Sequence, residues 1–247
     1  MINVKNMIYE LLAESTILRS RRGISVWLKS YDIKTYKINE DLSVDVDGDV
    51  SLSYRFLKLI PIKFGTIRGD FNCGGNSLSS LVGCPSVVGG DFKCSNNELT
   101  SLEGCPVEIG GAFYCSNNKL TSLEYCPVSV GGLFDCSGNK LVGLKYCPKE
   151  IVSDFDCDNN RLVSLEGGPF MVGGNFRCSY NQLTSMEYCP FSVGWGFSCI
   201  GNKLVESECF LYSSSAEQIN QYYKNKNLNK KMQIDLVEKV VIKNKKI

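Results

Sequence analysis

Seven cysteines, Cys73, Cys94, Cys115, Cys136, Cys157, Cys178 and Cys199, follow one another at intervals of 21 residues. A fixed period of that length, with no insertion or deletion, builds a solenoid in which one supersecondary unit is stacked along an axis. The period decides how every other residue is read. A position that recurs in each rung is a stacking position, and only departures from the repeat are candidates for recognition. It also overrides the length of 247 residues, which alone would allow one large or two small domains. A repeat array folds as one elongated unit.

Around each cysteine the same residues return. Two before it stands Phe, from Phe71 to Phe197, and three after it Asn, from Asn76 to Asn202. Leu occupies the fifth place after it throughout, and Leu or Met the eighth in six rungs. Proline recurs at the twelfth place, from Pro85 to Pro190, and Val or Ile at the fifteenth. Phe and Cys two apart point to one face of a strand, and stacked parallel strands lie ~4.8 Å apart, so like sits above like. The spacing predicts buried columns of Phe, Cys, Leu and Val. The Asn where the strand ends suits a buried amide bonding backbone groups of its own turn and of its neighbours. Proline keeps the return extended, and the glycine pair before each strand suggests the positive φ of a tight corner.

Phe-x-Cys-x-x-Asn-x-Leu-x-x-Leu resembles the leucine-rich-repeat pattern, with Phe and Cys in its first two apolar slots. It is most similar to the short repeats of bacterial effector proteins and to repeat proteins of bacteria and large bacteriophages. The resemblance implies a right-handed leucine-rich-repeat horseshoe of 21-residue rungs. Parallel strands would line the concave face and extended returns the convex one. It further implies a non-enzymatic, concave-face protein-binding module that modulates or inhibits a partner, with a host or defence protein as a plausible target. A structural virion or surface protein is the alternative it leaves open.

The ends depart from the repeat, as capping requires, since an open rung leaves apolar columns and strand edges in water. Residues 1–47 are expected as an N-terminal helical and hairpin cap, 48–210 as the solenoid, and 211–247 as a basic, mainly helical C-terminal cap. Met7, Ile8, Leu11 and Leu12 fall on one helical face with Gly23 as a stop, and a second helix holds Val26, Trp27 and Tyr31. The alternation of Val44 and Val46, then Val50 and Leu52, about Asp47-Gly48 reads as a two-residue hairpin. The same acids resemble the start of a calcium loop, but its twelfth position is Phe56 rather than Glu. Ser215-Ala216-Glu217-Gln218 has the form of a capping box opening a helix with Ile219, Tyr222 and Tyr223.

Charge is unevenly placed. Residues 1–69 hold 11 Lys/Arg against 8 acids, 70–210 hold 8 against 15, and 211–247 hold 8 against 3. The acidic middle argues against nucleic-acid binding through the repeats and for a partner with a basic surface. No apolar run reaches the ~18 residues of a membrane span, so the expectation is a cytoplasmic protein. Histidine is absent, which removes imidazole acid–base chemistry and His-containing zinc sites. No enzymatic activity and no cofactor are expected. The second cysteine column, Cys84, Cys105, Cys126, Cys147 and Cys189, lies like the first among apolar slots without any C-x-x-C pair, so both read as buried structural thiols.

Candidate binding residues are the irregular, outward side chains of the strands. Asp135, Asp154, Asp156 and Asp158 form an acidic cluster in mid-array, flanked by Lys93, Tyr114 and Leu133 on one side and Arg177 and Tyr180 on the other. Aromatics and Arg beside a charged patch are the usual composition of a binding hot spot. Carboxylates on neighbouring strands also allow a ligand- or metal-binding acidic groove. Tyr125, Tyr146, Tyr188 and Trp195 recur near the return or corner, where core packing is the expected role and a second, convex patch the alternative.

Overall fold

The computed structural model describes residues 16–204 together with Gln218, Gln221, Tyr222, Lys224 and Asn225. It is a parallel β-solenoid of 21-residue rungs with few helices. Each rung carries two very short strands. One begins at the recurring Phe, as in Phe134–Asp135, and the other at the fourteenth place after the cysteine, as in Ser129–Val130. The Phe-side strands form one eight-stranded parallel sheet, from Val50–Ser51 to Phe197–Ser198. The returns, expected simply as extended chain, carry a ladder of their own, in a six-stranded sheet and a three-stranded one.

Register follows the period: Phe113 pairs with Phe134, Phe134 with Phe155 and Phe155 with Phe176. Phe113 and Phe134 are fully buried with ring centroids 5.0 Å apart, and the next steps are 5.4 and 5.7 Å. The column continues beyond the repeat through Phe64, 5.1 Å from Phe71, to Trp27, 6.3 Å from Phe64. The seven period cysteines are buried and free. Burial pushes their neighbours' and several of their own thiols upward, Cys115 well above the ordinary value and Cys126 to about 12, so they remain protonated core groups. Where Gly168 stands in place of a column cysteine, a Cβ would meet Leu144 Cδ1 and Leu165 O at 3.0 Å. Leu144 of the rung below already reaches into this place.

The recurring Asn joins the rungs. Asn139 Nδ2 donates to Cys115 O at 3.0 Å and Cys136 O at 3.1 Å, and its Oδ1 accepts from Leu120 N at 3.0 Å. Asn97, Asn118, Asn160 and Asn181 repeat the arrangement. Each amide thus satisfies backbone groups of two successive rungs in the interior, where an unmade bond costs ~1–3 kcal/mol.

Three local expectations are corrected. The glycine pairs have no positive φ; the first of each pair is glycine because rungs approach closely there. A Cβ on Gly110 would lie 2.2 Å from Gly89 O, and one on Gly131 2.0 Å from Gly110 O. Asp47-Gly48 is no hairpin turn. With helix α1 (Arg21–Ser30) preceding them, strands β1 (Tyr36–Ile38) and β2 (Val44–Val46) form the antiparallel hairpin, and β2 then pairs in parallel with β4 (Phe64–Ile67). Strand β3 (Val50–Ser51), between them in sequence, belongs to the Phe-side sheet, so Asp47-Gly48 is the corner of an early rung. Gly23 does not end a helix but lies in the first turn of α1, where its N–H is capped by Ser20 Oγ at 3.1 Å. The helix expected about Met7–Leu12 and most of the C-terminal cap lie outside the described residues, although Gln218, Gln221 and Tyr222 are helical. No helix among the described residues is long and apolar enough to cross a membrane.

Candidate functional site

Because like positions stack, the variable residue before each cysteine forms a column along the Phe-side sheet. In order it reads Lys93, Tyr114, Asp135, Asp156 and Arg177, each paired in register with the next. All five are half-buried. Leu133 and Asp154 belong to a parallel column at the corner before the strand, Asp158 to the place just after the cysteine, and Tyr180 to the place beyond. The predicted residues therefore share one sheet face and its flanks, in four rows rather than one cluster.

The corner column has a fold role that periodicity does not reveal. Asp49 Oδ1 accepts from Asp70 N, Asp70 Oδ1 from Asp91 N, and Asp91 Oδ1 from Ala112 N, at 2.8, 2.8 and 2.9 Å. Each carboxylate caps the corner N–H of the next rung. Ala112 and Leu133 have no carboxylate to offer and the ladder lapses, then resumes as Asp154 Oδ1 accepts from Asn175 N at 2.8 Å. Two of the three acids that resembled a calcium loop do this work: Asp49 begins the ladder, and Asp45 Oδ1 accepts from Thr66 N at 2.8 Å.

Asp154 also holds Arg177, whose guanidinium Nη1 lies 2.9 Å from Asp154 Oδ2. Burial pushes this carboxyl up, but hydrogen bonds from Asn175 and then Arg177 outweigh it and hold it below the usual carboxylate range. Lys93 is engaged similarly, 2.9 Å from Asp91, 3.2 Å from Asp70 and 5.7 Å from the Tyr114 ring centroid. The remaining acids differ. Burial pushes Asp156 up to about 6, opposed by the Asp158 N–H it accepts and reinforced by the charges of Asp158 and Asp135. Burial also raises Asp158, against a short hydrogen bond from Ser179 N. Asp135 Oδ1 accepts from Ser137 N at 2.9 Å and Ser137 Oγ at 2.6 Å. Among the described residues no group of three or more Cys, Asp or Glu is arranged to hold a metal ion.

Tyr180 is held in the left-handed region, φ 54°, at a position where other rungs use Asn96, Asn117, Asn159 or glycine. Its ring covers Gly201, where an added Cβ would meet Tyr180 Cδ1 at 2.6 Å. An L-residue bearing a Cβ gives up ~1–2 kcal/mol in this conformation, because the Cβ crowds the following carbonyl. More than half of the side chain nonetheless faces solvent.

The return side corrects a further expectation. Tyr125, Tyr146, Tyr188 and Trp195 are not core residues but are exposed by 56, 51, 56 and 77%. The three tyrosines have φ of 65, 74 and 66°, at the place where Gly83, Gly104 and Gly167 stand in other rungs. Three residues on, Val107, Val128, Phe170 and Phe191 are also exposed. Sequence reading passed over this last row because the exposed thirteenth place adjoins a buried proline and resembles core. The alternation of Tyr and Gly at one repeat position was the available signal. Open hollows of about 550 and 660 Å³ lie at the N-terminal end, one beside Tyr36 and Arg68, the other beside Leu42 and Ile60. Neither includes a predicted binding residue.

In comparison with known proteins, no family model matches the chain and no curated protein matches it.

Proposed function

We propose that this solenoid is a non-enzymatic protein-binding module whose Phe-side sheet docks a partner with a basic surface. The observation that carries the reading is the column Lys93–Tyr114–Asp135–Asp156–Arg177, in which four residue types over five rungs interrupt the repeat on a continuous backbone ladder. A rigid sheet presents such a row without further ordering, which lowers the entropy cost of docking. Tyr180 supports it as an exposed aromatic at a left-handed position that other rungs give to Asn or Gly, so the backbone does not call for a tyrosine there. Asp135, Asp156 and Asp158 supply the negative charge, while Asp154, Arg177 and Lys93 orient the edges through ion pairs among themselves and Asp91. The likeness to leucine-rich repeats is supported by the strand-plus-Asn unit, and through it the module modulates or inhibits a host or defence protein inside the cell.

The test combines partner identification with variants the fold tolerates. Co-purification from the native cell followed by mass spectrometry names the partner. Asp135→Asn, Asp156→Asn, Tyr114→Ser and Tyr180→Asn together are then expected to weaken binding by about a hundredfold. Each Asn keeps the acceptor oxygen, and Tyr180→Asn installs the residue that neighbouring rungs use, so the melting temperature stays level or rises. Undiminished affinity in this folded variant would remove the Phe-side face as the docking surface.

A further inference from the structure

The return side carries a second surface whose composition points to a different partner chemistry from plain positive charge. Three features coincide there. Tyr125, Tyr146 and Tyr188 stand exposed in the left-handed region, so neither burial nor backbone preference accounts for them. Phe170 and Phe191 stack in parallel, with centroids 5.3 Å apart and planes 4° apart, while each remains more than half exposed. Immediately before the tyrosine or glycine position runs a column of Glu103, Glu124, Glu166 and Glu187, all exposed, with no side-chain partner among the described residues. The exception in that column is Lys145, and it is instructive. Its Nζ lies 4.9 Å from the centroid of the Tyr146 ring, so a left-handed tyrosine of this row already receives a cation.

We propose that the return face, from Glu103 to Phe191, docks a cationic amphipathic polypeptide segment of a partner protein. Its apolar side chains would lie on the Val107, Val128, Phe170 and Phe191 row. Its Lys or Arg side chains would pair with the glutamates and stack on the tyrosines, as Lys145 does from within the chain. Lys149 interrupts the apolar row and Lys145 the glutamate column, but their ammonium groups are engaged by Gly167 O at 2.7 Å and by the Tyr146 ring. Apolar surface flanked mainly by carboxylates selects a partner with both properties, because either alone leaves half of the surface unmatched. This surface is separate from the Phe-side column, and its assignment stands independently of that reading.

The probe is a short synthetic peptide of amphipathic Lys/Leu sequence, titrated against the full chain by fluorescence anisotropy. A Glu/Leu peptide of the same pattern and a polylysine of the same charge serve as comparisons. The variant Tyr125→Gly/Tyr146→Gly/Tyr188→Gly installs the residue of Gly83, Gly104 and Gly167, so the fold is retained. We expect the Lys/Leu peptide to bind, to lose about tenfold or more in affinity with the tyrosine variant, and to do so again with Glu124→Gln/Glu166→Gln/Glu187→Gln. Equal binding of polylysine or of the Glu/Leu peptide would overturn the proposal, as would binding that survives both variants. Loss of binding only on Asp135→Asn/Asp156→Asn would assign the peptide to the Phe-side face and likewise overturn it. Sedimentation showing a dimer that the tyrosine variant dissolves would mean that a second copy covers this face.

Discussion

The two faces of the solenoid are built from the same rungs but are held together differently. The Phe-side sheet runs unbroken through eight strands, whereas the return-side ladder is interrupted between Ser129–Val130 and Glu150–Ile151. The interruption falls in the rung where Val152 and Ser153 replace the glycine pair. At the equivalent corner a Cβ has no room, as the 2.0 Å approach to Gly110 O from Gly131 shows, so the chain bearing Val152 stands off and the pairing lapses. On the Phe side the interior Asn amides tie successive rungs directly. One ladder depends on side chains being present, the other on a side chain being absent.

That contrast can be broken from either direction. Gly131→Val should open a second gap on the return side and lower stability by about 3 kcal/mol in urea unfolding, because backbone rather than a flexible side chain lies in the way. Val152→Gly should change stability by less than ~1 kcal/mol, since regained pairing is offset by glycine's backbone entropy. If Gly131→Val were as mild, close approach would not explain the break. On the other face, Asn139→Ala should cost about 2–3 kcal/mol by leaving the buried Leu120 N–H unmet. A loss under ~0.5 kcal/mol would show that the amide column does not hold the Phe-side ladder.

An effect smaller than those of Gly131→Val and Asn139→Ala concerns charge on the Phe-side face. With Asp156 raised to about 6 from 3.8, the folded state binds this proton more tightly than the unfolded chain. The carboxyl therefore destabilises the fold increasingly as pH rises from about 4 through 6. Asp156→Asn, which keeps the acceptor for Asp158 N, should be more stable above pH 6 by about 1 kcal/mol, after allowance for the side chain's partial exposure. The advantage should shrink below pH 6 and vanish below about 4. Chemical denaturation of both proteins at pH 7.5, 5.5 and 3.5 checks it, and a difference that does not change with pH would refute the burial of Asp156.

Much of the core was legible before any coordinates. Phe113 over Phe134, the buried Cys and Leu columns and the bridging role of Asn139 all follow from recurrence, because an identical neighbour one period away meets an identical environment. The nine candidate residues do lie along one face, yet their division into rows was hidden. Asp154 and Leu133 looked equivalent to Asp135 until the corner N–H groups were located. Tyr125, Tyr146 and Tyr188 read as packing residues in the sequence because aromatic character says nothing about φ. The Asp47-Gly48 hairpin failed for a related reason: alternating valines on both sides of a turn fit a solenoid corner as well as a hairpin, and only strand pairing separates the two.

By itself, the amino-acid sequence determined the rung length, the identity of the interior columns and the list of side chains that break the repeat. Local spacing suffices for these, since strand alternation and in-register stacking are properties of the chain and its period. Only the tertiary structure decided which of the irregular side chains are already engaged, as Asp91 and Asp154 are by the next rung's N–H groups, and which stand free of the core, as Tyr180 and Tyr188 do. Those outcomes depend on distances between particular atoms of neighbouring rungs, 21 residues apart in sequence and within a hydrogen bond in space.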